Sequence, residues 1–228
     1  MANVIDAVLG VFSPHICKGC GKAGAILCEN CIFDNIENKY AKCIVCGALT
    51  SSDNLCQICR VKMPFSRAWL VGERKGTLKK VVGDFKYNSE RGGAKFIAKL
   101  LDGILPTLPD DIVIIPIPTI SPHIRTRGFG HTEIVAKELA RIRGLKYDLK
   151  LLLRADNSIQ HGLGLRERKK QAEKAFVVSK KRPIPNEVLL FDDIYTSGST
   201  IIAATKLLKQ AGVKTVNVAI IAKQVKDS

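Results

Sequence analysis

The sequence predicts a parallel, doubly wound α/β domain with a small cysteine-rich module at its amino end. Strand-like apolar runs alternate with helix-period segments from residue 64 to the carboxyl terminus, the pattern of a parallel sheet wrapped by helices. The runs at 112–117 (IVIIPI) and 188–191 (VLLF) are continuously apolar, as in strands buried on both faces. All eight cysteines fall between positions 17 and 59, in four Cys-x-x-Cys pairs. The expected division is therefore 1–63 for a short helix and the cysteine module, and 64–228 for the α/β domain.

Taken in order, residues 4–12 are apolar but short, contain Asp6, lack a basic run and meet Pro14. They read as an amphipathic helix and not as a signal peptide. No apolar run approaches the ~20 residues that cross a bilayer, so a cytoplasmic protein without a membrane span is expected.

The cysteine pairs are Cys17/Cys20, Cys28/Cys31, Cys43/Cys46 and Cys56/Cys59. Two intervening residues let a pair face one metal, and glycine directly follows Cys20 and Cys46, where a knuckle needs an unhindered backbone. Eight such thiolates fill two closed tetrathiolate sites, so two structural zinc ions are expected. Consecutive pairing gives Cys17, Cys20, Cys28 and Cys31 for one ion and Cys43, Cys46, Cys56 and Cys59 for the other. A cross-braced arrangement uses the same residues and stays open. Disulfides do not fit a reducing compartment.

Beyond Pro64, strands are expected at 68–72, 112–117, 149–153, 176–178, 187–191 and 213–221. Helices are expected at 78–87, at 94–105 with Phe96, Ile97, Leu100, Leu101 and Ile104 on one face, at 133–143 before Gly144, and from 201 to Gly212. In such sheets ligands bind beyond the carboxyl ends of the strands.

The stretch 187–200, EVLLFDDIYTSGST, has the character of such a site. Asp192 and Asp193 follow the apolar strand, and Thr196, Ser197, Gly198, Ser199 and Thr200 lead into a helix. Loop amides and a helix N-terminus favour phosphate, while carboxylates accept from sugar hydroxyls or hold Mg2+. After the strand at 112–117, Arg125 and Arg127 can fork onto a multiply charged anion such as pyrophosphate. The polar segment 154–174, with Gln160 and His161, is long enough to be a functional loop. There is no Walker A motif, no G-x-G-x-x-G fingerprint and no triad of histidine with a nucleophile.

Lys and Arg number 36 against 21 Asp and Glu, a formal charge of +15. Two zinc tetrathiolates, each near −2, would bring it to about +11. A basic surface of that size suits polyanions.

Residues 188–200 resemble the PRPP-binding motif of type I phosphoribosyltransferases. More of the chain is similar to the ComF competence family: Pro14 before CKGC, the cysteine ribbons, Asp84–Tyr87 (DFKY), Pro116-Ile-Pro118, Arg125-Thr-Arg127-Gly-Phe129, and Gln160, Arg168 and Ala175-Phe176. It departs at Gly130-His131, where the family carries Asn-Gln, and at Gln171. The resemblance implies a type I phosphoribosyltransferase fold behind a double zinc ribbon. Asp192 and Asp193 would hold the ribose, Tyr195 to Thr200 the 5′-phosphate, and Mg2+ would accompany PRPP. It also implies single-stranded DNA and DNA-uptake proteins as partners during natural transformation. In an active enzyme Asp192, Asp193, Arg125 and Arg127 would be the catalytic set. The alternative is an active phosphoribosyltransferase of nucleotide metabolism without a DNA role. The acceptor and the oligomeric state are not legible.

Overall fold

The computed structural model describes residues 15–36, 42–51, 53–87, 91–119, 130–155 and 175–225. Residues 4–12, Arg125, Arg127, Gln160, His161, Arg168 and Gln171 lie outside them.

Among the described residues a five-stranded parallel sheet runs in the order β1-β7-β6-β2-β3. Its strands are β1 (Arg67–Glu73), β2 (Val113–Pro116), β3 (Lys146–Tyr147), β6 (Glu187–Tyr195) and β7 (Thr215–Lys223). The central pair is long because both strands are buried along almost their whole length. The expected doubly wound α/β class is the one found.

Helices lie on both faces. On one face pack α3 (Gly76–Tyr87), α4 (Arg91–Ile104) and α5 (His131–Arg143), meeting Trp69, Val71, Ile114, Leu189, Phe191 and Ile221. On the other lies α6 (Ser199–Gln210), with Ala68, Leu70, Ile115, Val188, Leu190 and Val218. Adjacent strand residues thus divide between two cores, the two-sided burial that produced the uninterrupted apolar runs. α5 ends at Gly144 in the left-handed region, φ 65°. Arg143 then closes α4, its Nε donating to Asp102 Oδ1 at 2.7 Å and its guanidinium to the carbonyls of Asp102, Leu105 and Pro106.

Several local expectations change. α3 and α4 begin earlier, at Gly76 and Arg91, and β3 at Lys146–Tyr147 was not expected. β4 (Leu152–Arg154) and β5 (Phe176–Val178) form a separate antiparallel pair instead of joining the main sheet. α5 begins two residues earlier than its apolar period indicated, with Gly130 as its N-cap. β6 does not stop at Phe191: pairing with β7 continues through Asp192↔Ile220 and Ile194↔Ala222 to Tyr195↔Lys223. The ladder supplies hydrogen bonds whatever the side chains are, so the acids did not end the strand.

Candidate functional site

The cysteines form two groups, Cys17, Cys20, Cys28, Cys31 and Cys43, Cys46, Cys56, Cys59, and within each group all four sulfurs lie within 4.8 Å of one another. The grouping is consecutive, not cross-braced. Sγ–Sγ separations of 3.8 Å (Cys17–Cys28), 3.7 Å (Cys20–Cys28) and 3.6 Å (Cys46–Cys56) are non-bonded. A tetrahedron with zinc–sulfur bonds of ~2.3 Å has edges of about 3.8 Å, so the thiols fit the metal.

The two ribbons repeat one another. Each opens with a knuckle whose first cysteine N–H donates across it, Cys17 to Lys22 O and Cys43 to Ala48 O. Gly21 (φ 78°) and Gly47 (φ 80°) turn it in the left-handed region, the freedom expected of those glycines. The second pair of each ribbon sits differently, because Cys28 and Cys56 are N-caps of short helices, α1 (Glu29–Asn35) and α2 (Gln57–Lys62). Cys31 and Cys59 then lie one turn in, on the same side. Without metal the thiols are unequal. Backbone N–H groups of Cys20 and Cys28 hold Cys17 down to about 6. Burial opposes ionisation of Cys43, but the amides of Cys46, Cys56 and Val45 bring it to about 6 as well. Burial first, and then the neighbouring thiols, push Cys31 and Cys59 up to about 12.

The ribbons straddle the β1 edge, one on each side of the sheet. Cys17, Leu27, Cys31 and Ile36 join the core of Trp69 and Val71, while Cys43, Ile44, Leu55 and Cys59 join the core of Ala68 and Leu70. Asn54, in the second ribbon, completes the free edge of β1: its N–H donates to Ala68 O and its Oδ1 accepts from Leu70 N–H at 2.8 Å. Asn54 Nδ2 also donates to Lys42 O at 3.0 Å. Asp53 beside it is buried and paired with Arg60 at 2.9 Å.

At the carboxyl edge of the sheet, Asp192 and Asp193 are 9% and 7% exposed. Two carboxylates so enclosed need partners. Asp193 Oδ2 faces His131 Nε2 at 2.8 Å, and Asp193 N–H donates to Asp192 Oδ1 at 2.9 Å. Asp192 lies close enough to Arg154 to counter the burial that lowers that guanidinium's pKa. Arg154 stacks over Phe176 at 5.3 Å, so the small β4–β5 pair carries a cation to the acids. His131 is packed edge-on by Phe85 at 6.4 Å, and its Nδ1 is buried without a hydrogen-bond partner among the described residues. An imidazole that carries its proton on Nε2, toward Asp193, leaves only an acceptor lone pair in that apolar contact.

Beyond Tyr195, Thr196 and Ser197 are exposed and Gly198 is the N-cap of α6, at φ 75°. Gly198 has no side chain to cap this helix; Ser197 Oγ accepts a long bond from Ser199 N–H at 3.4 Å, and the amides that follow in the first turn can meet an anion. Ser197 Oγ and Ser199 Oγ lie 2.9 Å apart across the loop, and Thr200 follows in the first turn of the helix. Tyr195 turns inward and is 4% exposed; its hydroxyl is pushed up to about 12 by burial and, after it, by the charges of Cys43 and Cys59. Acids, loop and helix end thus share one edge.

The motif missed His131 and Arg154. His131 was visible as a departure from the family's Asn-Gln, but only the packing of α5 against β6 shows that its ring meets Asp193. Asp84 and Phe85 of the DFKY stretch face two ways: Asp84 pairs with Lys18 of the first ribbon at 2.8 Å, and Phe85 touches His131.

No protein-family model matches the chain. Among curated proteins it is 28% identical to the DNA utilization protein YhgH of Salmonella typhimurium, over 90% of this chain and 95% of that one. It is 25% identical to the protein of the same name in Escherichia coli K12, over 84% and 94%. It is 30% identical to Competence protein F of Haemophilus influenzae over 46% of this chain and 47% of the other. These relatives and the two four-cysteine groups bear out the resemblance to the ComF family. Solved structures similar to the chain include the allosteric regulatory enzyme of purine biosynthesis, with TM-score 0.43, 18% identity, and 61% of this chain and 30% of that one covered. Another is a hypoxanthine phosphoribosyltransferase from Staphylococcus aureus, with TM-score 0.36, 14% identity and coverage of 66% and 76%. No helix among the described residues is long and apolar enough to cross a membrane.

Proposed function

We propose that the protein binds PRPP with Mg2+ at the carboxyl edge of β6 and serves in the handling of single-stranded DNA. The observation that carries the pocket is the shared edge: two enclosed carboxylates, Asp192 and Asp193, beside a helix N-terminus entered through a left-handed glycine. Asp192 and Asp193 would hold the ribose hydroxyls, and residues 196–200 the 5′-phosphate. Bound Mg2+ would supply positive charge to the pyrophosphate. His131 orients Asp193 from the α5 side, and Arg154 offers a cation on the Asp192 side. Arg125 and Arg127 are proposed to reach the pyrophosphate. The names DNA utilization protein and Competence protein F support the DNA role, and the basic balance of +15 suits such a partner.

The test is calorimetric titration of PRPP and Mg2+ into wild type, Asp192→Asn/Asp193→Asn and His131→Ala. Saturable binding to wild type, abolished in the double variant and weakened in His131→Ala, is the expected result. Absence of binding to wild type sinks the pocket. Pyrophosphate release with candidate bases would move the reading to an active transferase. Salt-dependent single-stranded DNA binding that survives the double change would place DNA on another surface.

A further inference from the structure

The second ribbon lies under the loop that the proposed function assigns to phosphate. Tyr195, the last residue of β6, has its side chain in one apolar cluster with Cys43, Ile44, Leu55, Cys59 and Phe65. Ile201, in the first turn of α6, is 1% exposed in that same cluster. The two side chains that flank loop 196–198 are thus buried in the core that the second ribbon shares with this face of the sheet. Between them, Gly198 rests on the Tyr195 phenol. A Cβ added at Gly198 would fall 2.2 Å from Tyr195 Oη, 2.6 Å from Cζ and 2.9 Å from Cε2. The ring is 4% exposed, in the cluster that holds Cys43 and Cys59. Backbone contacts hold its base, since Tyr195 pairs with Lys223 and its carbonyl accepts from Gln224 N–H at 2.8 Å. The first ribbon's Cys17 and Cys31 lie instead in the opposite core, with Trp69, Val71 and Leu78.

We propose that Tyr195 is a positioning residue through which the second cysteine ribbon, and not the first, sets the conformation of loop 196–200. Metal at Cys43, Cys46, Cys56 and Cys59 and an anionic ligand on the loop then stabilise one another. The ligand part rests on the PRPP reading; the loop part does not. Coupling of this kind is reciprocal, and apparent affinity falls in proportion to the loop fraction that stays competent.

The test uses the full-length protein with zinc content measured. It compares wild type, Cys46→Ser, Cys20→Ser, Tyr195→Ala and Tyr195→Phe; Cys46 and Cys20 are the exposed thiols of their groups. Hydrogen exchange is followed by mass spectrometry in peptides spanning 192–202, with α4 peptides as the reference. Cys46→Ser and Tyr195→Ala should accelerate exchange at the loop and first turn of α6 beyond any change in α4. Cys20→Ser should not, and Tyr195→Phe, which keeps the ring, should match wild type. PRPP–Mg2+ affinity should drop about fivefold or more in Cys46→Ser and Tyr195→Ala. Equal acceleration in both cysteine variants, or none in Tyr195→Ala, overturns the proposal. Should Cys46→Ser fail to fold, Tyr195→Ala, which retains both cysteine groups, decides alone. If wild type binds no PRPP but the exchange asymmetry holds, the proposed ligand is wrong and the support of the loop stands.

Discussion

Gly198→Ala would test the loop geometry directly. At φ 75° an L-residue sits in the left-handed region, which costs roughly 1–2 kcal/mol. The new methyl would also meet the Tyr195 phenol, whose nearest atoms lie 2.2, 2.6 and 2.9 Å away. A ring that is 4% exposed, in the core shared with the second ribbon, has little room to retreat, and overpacking of this kind costs about 1–3 kcal/mol. Alanine lowers the entropy of the unfolded chain and returns about 0.4–1 kcal/mol. The net expectation is a loss of about 1–5 kcal/mol. Gly212→Ala is the matched control: its φ of 112° is strained too, but the nearest atom is Ile184 Cγ2 at 3.7 Å. Urea denaturation of zinc-loaded protein should therefore show Gly198→Ala less stable than Gly212→Ala by about 1–3 kcal/mol. Equal losses would refute the close packing of Tyr195 beneath Gly198, and with it the rigid loop.

Zinc affinity should rise with pH through the neutral range. In the metal-free groups Cys31 and Cys59 keep their protons until about 12, whereas Cys17 and Cys43 lose theirs above about 6. Binding at neutral pH must therefore expel protons, and acid must favour release. Competition with a chromophoric chelator at several pH values reads this, and a flat profile would contradict it. Asn54→Ala should destabilise by about 2–4 kcal/mol, because Leu70 N–H and Lys42 O lose their side-chain partners at a buried edge. A loss below about 1 kcal/mol in denaturant would show that water replaces the amide. Arg143→Ala should cost a similar 2–4 kcal/mol or so by stripping donors from three carbonyls and Asp102 at the end of α4. Hydrogen exchange in the last turn of that helix should rise with it.

Much of the candidate site was legible because its signals are local. Cys-x-x-Cys spacing, glycine after the second knuckle cysteine, and the order of apolar run, paired acids, hydroxyls and glycine each act within a few residues. They marked the eight cysteines and placed the acids, loop and helix start at one edge. The end of β6 was misjudged because β7, its neighbour in space, extends the ladder through the acids. β4 and β5 were assigned to the wrong sheet, since strand length and composition do not name a partner.

By itself, then, the sequence determined the fold class, the eight cysteines suited to metal, and the pattern that marks Asp192, Asp193 and residues 196–200. Those follow from periodicity and covalent spacing. Only the tertiary structure decided which cysteines share a site and that the ribbons cover opposite faces of the β1 edge. It alone brought His131 to Asp193, Arg154 toward Asp192, and Tyr195 between Gly198 and the second ribbon. Residues 62 positions apart, as His131 and Asp193 are, meet because helix and strand pack their apolar faces together. No pattern within either segment encodes that meeting.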